Sequence, residues 1–170
     1  MLTSKTKQDP PLAFRKPRVS DGPDIYDLVT RSKPLDVNSR YNYLLLCSHF
    51  AETCAVVESE GSVLAFISAY CPPQQSDTLF VWQVAVDASL RGQGIAKRLI
   101  RHLLDRPNLQ HIRFVEATVN PSNDASRNLF RSLARESQCD IKDSLFYSIE
   151  DFGGDAHEEE ILLRVGPIKK

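Results

Sequence analysis

Glycine, cysteine and unbroken apolar stretches are all scarce in this chain, and each shortage removes a class of protein. Seven glycines among 170 residues fall far short of the roughly one-third glycine of a collagen. The four cysteines, Cys47, Cys54, Cys71 and Cys139, form no Cys-x-x-Cys pair. That spacing builds neither a zinc module nor a disulfide scaffold, so reduced thiols and a cytoplasmic setting are expected. No apolar run approaches the roughly 20 residues that cross a bilayer, and the first eleven residues lack the apolar centre of a secretory signal. Neither charge dominates: 21 Lys and Arg stand against 22 Asp and Glu, for a net charge of −1. A nucleic-acid binder would carry a strong basic excess, so neither nucleic acid nor membrane is an expected partner. His49, His102 and His111 have no metal-ligand spacing, and no metal is expected. What is present is a hydrophobic content of 42% with 25% charged residues, enough for a real core in one domain.

Residues 1–12 read as a flexible tail and residues 13–166 as the domain. Phe14 to Lys16 is a short strand. A helix capped by Ser20 or Asp21 carries Pro23 in its first turn and Ile25, Leu28 and Val29 on one face, and stops at Pro34. A second helix runs from Ser39 to Phe50, with Tyr41, Leu44, Leu45 and Ser48 on one side. Cys54 to Glu58 and Val63 to Tyr70 form a hairpin about Glu60-Gly61. Leu79 to Val86 is a buried strand. A helix follows through Ile95, Leu99, Ile100, Leu103 and Leu104, then a strand from Phe114 to Val119 and a helix from Asn123 to Ser137. A last strand pair lies at Leu145 to Ile149 and Glu160 to Val165. A meander feeding a strand–helix–strand–helix unit predicts an α/β (α+β) domain on a mixed sheet.

The chemistry concentrates at Val84-Ala85-Val86-Asp87-Ala88-Ser89-Leu90-Arg91-Gly92-Gln93-Gly94-Ile95-Ala96-Lys97. Two of the seven glycines sit here, one residue apart, between a strand and a helix. Such a turn leaves backbone N–H groups unpaired at a helix start, where the dipole favours an anion and glycine lets phosphate oxygens approach. From Asp87 to Arg106 there are five basic and two acidic residues, so Lys97, Arg98 and Arg101 add positive charge on the helix face. No Gly-Lys pair exists for a Walker loop, and a dinucleotide fingerprint would need glycine where Lys97 stands. On glycine spacing alone, a plain turn before a solvated basic helix fits as well.

Arg91-x-x-Gly94-x-Ala96 after Val84-Ala85-Val86-Asp87, followed by Thr118-Val119-Asn120-Pro121-Ser122-Asn123 and Leu129-Phe130, resembles the GCN5-related N-acetyltransferases. The resemblance implies their fold, a single mixed and mostly antiparallel sheet flanked by about four helices. It implies acetyl-coenzyme A as co-substrate, with the amides of Arg91, Gly92, Gln93, Gly94, Ile95, Ala96 and Lys97 on the pyrophosphate. Main-chain groups of Val84 and Val86 would pair with the pantetheine arm like an added strand, and Asn123 would reach it. The family's tyrosine acid for the departing thiolate is Phe130 here.

Glu150, Asp151, Asp155, Glu158, Glu159 and Glu160 put six acids into eleven residues without a Lys or Arg. An acidic run is by default a solvated loop, but in this fold it borders the acceptor side and suits a cationic amine. Leu35-Asp36-Val37-Asn38-Ser39-Arg40-Tyr41 and Phe80-Val81-Trp82-Gln83, with Pro121 to Ser126, are similar to the diaminobutyrate acetyltransferase branch of the family. That branch serves ectoine biosynthesis, the making of a compatible solute under osmotic stress. The resemblance implies acetyl transfer to the γ-amine of L-2,4-diaminobutyrate, with Asp36, Tyr41, Trp82, His157 and Glu160 around this small diamino acid, and a homodimer. Strand alternation puts Glu158 and Glu160 on one face, so either serves as the catalytic carboxylate, and Tyr147 is the first candidate for a replacement acid. By residue type alone, Trp82 is a core aromatic and Tyr41 packs on the second helix. Another small diamine or polyamine as acceptor, or a non-catalytic acetyl-coenzyme A sensor, are the alternative functions.

Overall fold

The computed structural model describes residues 10–154 and 157–169. The tail expected at 1–12 lies mostly outside the described residues, as does Asp155. The elements follow the order read from the sequence: β1 (Ala13–Arg15), α1 (Gly22–Arg31), α2 (Arg40–Ser48), β2 (Ala55–Ser59), β3 (Ser62–Tyr70), β4 (Thr78–Val86), α3 (Ile95–Leu104), β5 (Phe114–Val119), α4 (Asp124–Glu136), β6 (Ile141–Tyr147) and β7 (Glu160–Val165). They build a seven-stranded sheet in the order β1-β2-β3-β4-β5-β7-β6, antiparallel except for β4 with β5.

Both sheet faces are covered, because the inner strands are apolar at consecutive positions rather than at alternate ones. One face carries Ala55, Val57, Ala65, Ile67, Leu79, Val81, Val115 and Ala117 against α3 and α4. Leu99, Ile100, Leu103, Phe130 and Leu133 come from the helices. The opposite face packs Val56, Phe66 and Ala85 against Ile25, Leu28 and Val29 of α1 and Tyr43, Leu46 and Cys47 of α2. The α1 stripe is the expected one. The α2 stripe is not: Tyr41 is 68% exposed and Ser48 is exposed, while Tyr43, Leu46 and Cys47 are buried. Leu44-Leu45-Leu46-Cys47 is apolar all round, so its periodicity has no phase, and packing against Phe66 chooses the face. β6 begins four residues earlier than expected because it is exposed at nearly every position and shows no alternation.

A charged knot ties β1 to its neighbours. Arg15 reaches Asp21 at 2.7 Å and Glu58 at 2.6 Å, and the Arg18 N–H donates to Asp21 at 2.6 Å. Burial alone would raise the Asp21 carboxyl; the Arg15 guanidinium and the Arg18 N–H outweigh it and hold the group below its ordinary range. The pair therefore stabilises fully above the unfolded carboxyl's pKa of about 4, and that stability is lost as pH falls through the lowered folded value. Asp21→Asn should cost about 2–3 kcal/mol near neutrality. The difference from wild type should close in acid, as urea unfolding at the two pH values would show.

Candidate active site

β4 and β5 are paired only at Thr78, Leu79 and Phe80, whose partners are Phe114, Val115 and Glu116. Beyond that vertex β4 stays with β3 and β5 stays with β7, so the two parallel strands part. The vertex is pinned by Arg164, which pairs with Glu116, donates to Gln75 at 3.2 Å and Thr78 at 3.4 Å, and lies over the Phe114 ring. Opposite the gap, β4 bulges: Gln83 faces Ser68 but Val81 faces Ala69, leaving Trp82 as the extra residue. A bulge re-aims its side chains. Trp82 is accordingly 48% exposed and is not the core aromatic its strand suggests.

At the far end of β4 the glycine turn forms an amide cradle. Asp87 accepts from the Ser89 N–H at 3.0 Å and hydroxyl at 2.8 Å and from Arg31 at 3.1 Å. The Ser89 bonds, with help from Arg31, hold its carboxyl below the ordinary range. Gly92 and Gly94 adopt φ +76° and +70°, a region that favours glycine. None of the backbone N–H groups from Gly92 to Lys97 has an acceptor among the described residues, and a Cβ built at either glycine meets no protein atom within 4 Å. Six amides without an acceptor at the start of α3, with open space beside the two glycines, fit the diphosphate of a coenzyme A thioester.

Several side chains expected at the cofactor have other partners. Lys97 is bound to Glu136 at 2.7 Å and Ser132 at 3.1 Å, so its side chain bridges α3 to α4 and only its N–H belongs to the cradle. Arg101 joins Ser137 and Glu136, and Arg98 lies over Phe14, so the basic face of α3 is largely used in packing. Arg91 donates to the Val86 carbonyl at 3.2 Å, which occupies that carbonyl and leaves Val84 as the better main-chain partner for an extended ligand. Asn123 caps α4 by accepting from the Ser126 N–H at 3.0 Å, so its oxygen is engaged and its NH₂ is the group left to donate. Phe130 is 2% exposed in the core and contributes no acid.

The acceptor candidates form two groups flanking the gap. On the β4 side, the Asp36 carbonyl is held by Gln83, while the Asp36 carboxylate is exposed and makes no hydrogen bond or ion pair among the described residues. Tyr41 is the second residue of the adjoining α2. On the β7 side, half-buried Glu160 accepts from Asn120 Nδ2 at 3.0 Å through one oxygen, and its other oxygen has no partner among the described residues. Glu160 is the cross-strand partner of Tyr147. Tyr147 touches Phe152 edge-on at 6.0 Å, and Phe152 stacks on His157 at 3.9 Å. His157 Nδ1 donates to the Glu158 carbonyl at 2.7 Å, which in the neutral ring leaves Nε2 as the acceptor. Glu158 differs from Glu160. Its carboxylate accepts from both the hydroxyl and the N–H of Ser122, the latter at 3.1 Å, and those bonds lower its pKa. Asn120, Ser122, Gln83 and Tyr43 escaped sequence reasoning. Gln83, a lone amide in an apolar strand, is the one the sequence could have flagged.

Among the described residues no group of three His, Cys, Asp or Glu could hold a metal ion, and no helix is long and apolar enough to cross a membrane. All four cysteines are free thiols, and burial pushes Cys47 to about 12 and Cys54 to about 11, outside useful nucleophile range.

A parting of parallel strands that ends in an amide cradle is the cofactor half of a coenzyme A-dependent N-acyltransferase. The model of the acetyltransferase (GNAT) family matches residues 22–134, and the chain belongs to that family. Within it, the chain is 46% identical over 162 residues to the L-2,4-diaminobutyric acid acetyltransferase of Shouchella clausii, covering 95% of this chain and 90% of that protein. It is 43% identical over 159 residues to the protein of the same name from Marinococcus halophilus, covering 94% and 92%. The diaminobutyrate acetyltransferase of Paenibacillus lautus, solved with L-2,4-diaminobutyric acid and coenzyme A, superposes with a TM-score of 0.89 at 41% identity, over 95% of this chain and 98% of that one. Ard1 from Thermoplasma volcanium, at 18% identity and a TM-score of 0.72, shares the fold.

Proposed function

We propose that this protein transfers acetyl from acetyl-coenzyme A to the γ-amine of L-2,4-diaminobutyrate, giving N4-acetyl-L-2,4-diaminobutyrate, the acetylation step of ectoine biosynthesis. The observation that carries the reading is the placing of two carboxylates with unused oxygens, Asp36 and Glu160, on either side of a strand gap that ends in the orphan amides of Gly92 to Lys97. The likeness to the Paenibacillus lautus enzyme supports the choice of acceptor.

The co-substrate supplies an activated thioester, so no covalent enzyme intermediate is needed. The cradle holds the diphosphate, and the unpaired backbone of β4 near Val84 orients the acyl arm. The acceptor arrives as an ammonium, since an alkyl amine titrates near 10.4, about where lysine does. Asp36 and the Trp82 and Tyr41 rings hold it; the free oxygen of Glu160 takes its proton. His157, set by its bond to Glu158, lines the same wall. Glu158, clamped by Ser122, holds the β6–β7 loop against the β5–α4 loop rather than moving protons. Backbone N–H groups at the β4 bulge face the developing oxyanion. A thiol titrates near 8.5, so its thiolate leaves without much acid help, and Tyr147 serves as a wall. Tyr147→Phe should lower kcat by less than about tenfold, under 1.4 kcal/mol of barrier. A loss of about a hundredfold with normal binding of both substrates would make Tyr147 the acid.

Release of free thiol with diaminobutyrate, ornithine, lysine or putrescine tests the function. Diaminobutyrate should lead in kcat/KM by at least about tenfold. Equal rates with putrescine would point to a general diamine enzyme, and no turnover with any amine to a sensor. We further propose a cytoplasmic homodimer. Four free thiols suit the compartment. β6 is the sheet edge and exposes Leu145 and Phe146 at 57% and 45%, a surface a second copy would cover. Sedimentation of a wild-type monomer would refute the dimer.

A further inference from the structure

Gln83 has well-defined bonds and no part in the chemistry above. It is the single amide in the apolar stretch of β4, next to the Trp82 bulge, and its side chain works in both directions at once. Nε2 donates to the Asp36 carbonyl at 2.8 Å, and Oε1 accepts from the Tyr43 hydroxyl at 3.2 Å. The Tyr43 oxygen in turn accepts from the Asn38 N–H at 3.3 Å. Tyr43 is 0% exposed, with its ring edge-on to Tyr26 at 6.1 Å and Phe66 at 6.2 Å, so the hydroxyl is fixed by the core. The α1–α2 loop is thus suspended from the sheet at two main-chain points, the carbonyl of Asp36 and the N–H of Asn38. The Asp36 carboxylate has no bond of its own among the described residues, so the main chain is what sets the space it can reach.

We propose that Gln83 and Tyr43 are positioning residues for the acceptor: they lock the main chain of residues 36–38 so that the Asp36 carboxylate meets the substrate ammonium. The role rests on the reading of Asp36 given above. Glutamine suits it because one side chain must donate and accept together, and being neutral it does not compete with Asp36 for the cation. An apolar residue of equal length would take the donor from the Asp36 carbonyl and the acceptor from the Tyr43 O–H, leaving Tyr43 only the bond from Asn38. An unpinned loop would have to be ordered by the substrate itself, at a cost in apparent affinity.

Gln83→Met and Tyr43→Phe, each alone and combined with Asp36→Asn, test this by steady-state kinetics. Each single variant should raise KM for diaminobutyrate about tenfold, with KM for acetyl-coenzyme A within about twofold and kcat changed less than KM. Once Asp36 is Asn, Gln83→Met should add little further, because the carboxylate it positions is gone. If Asp36→Asn raises KM while Gln83→Met and Tyr43→Phe leave it unchanged, the positioning role is wrong. Lowered melting temperatures with both KM values unchanged would likewise reduce the pair to a structural one. A null at Asp36→Asn itself would remove the acceptor assignment and the positioning role with it. Should Gln83→Met fail to fold, Tyr43→Phe, which deletes one oxygen, carries the test alone.

Discussion

Glu160→Gln should lower kcat by about 10²–10³-fold while leaving acetyl-coenzyme A affinity unchanged. Near neutrality roughly one alkyl amine in a few thousand is unprotonated, so the reaction depends on a group that takes the proton. Glutamine retains an oxygen for the Asn120 NH₂, so the local fold survives, but it cannot accept a proton. The deficit should shrink as pH rises towards the amine's own pKa, where solvent does the deprotonation. Glu158→Gln should be mild by comparison, since its amide oxygen still accepts from Ser122. Rates within about threefold of wild type for Glu160→Gln, with a large loss at Glu158→Gln, would reverse the two assignments.

Gly94→Val should weaken acetyl-coenzyme A binding by more than about tenfold, 1.4 kcal/mol, as read by calorimetry. The new side chain occupies open space within a run of six amide N–H groups that have no acceptor among the described residues. At φ +70° a branched residue is also strained, by about 1–2 kcal/mol or more, so the variant should be less stable as well. Gly61→Val supplies the control: it has φ +79°, likewise has open space around it, and lies in the β2–β3 turn outside the cradle. It should share the loss of stability and keep full cofactor affinity. Unchanged affinity in folded Gly94→Val would show that the coenzyme sits elsewhere.

The element order, the α1 stripe of Ile25, Leu28 and Val29, and the glycine turn between β4 and α3 were all legible in the sequence. Each rests on local physics: 3.6-residue periodicity, a cap, or glycines where backbone must adopt positive φ. These terms act within a few residues of each other, so one stretch of chain determines them. Tertiary structure decided what depends on partners far along the chain. Glu158 and Glu160 are equivalent by alternation, yet Ser122 clamps one and Asn120 leaves the other an unused oxygen. Lys97 and Arg101 suggest phosphate binding until Glu136 of α4 claims them. Trp82 reads as core until the mismatch of β4 against β3 turns it outward. Gln83 means nothing as a sequence letter until folding brings Asp36 and Tyr43 to its two ends, 47 and 40 residues away. Register between distant strands is set by the packing of the whole sheet, and a one-residue shift there changes which face a side chain meets. Local physics along the chain accounts for which segments form and where glycines leave amides unpaired; the closed sheet accounts for which carboxylates keep an oxygen without a partner among the described residues.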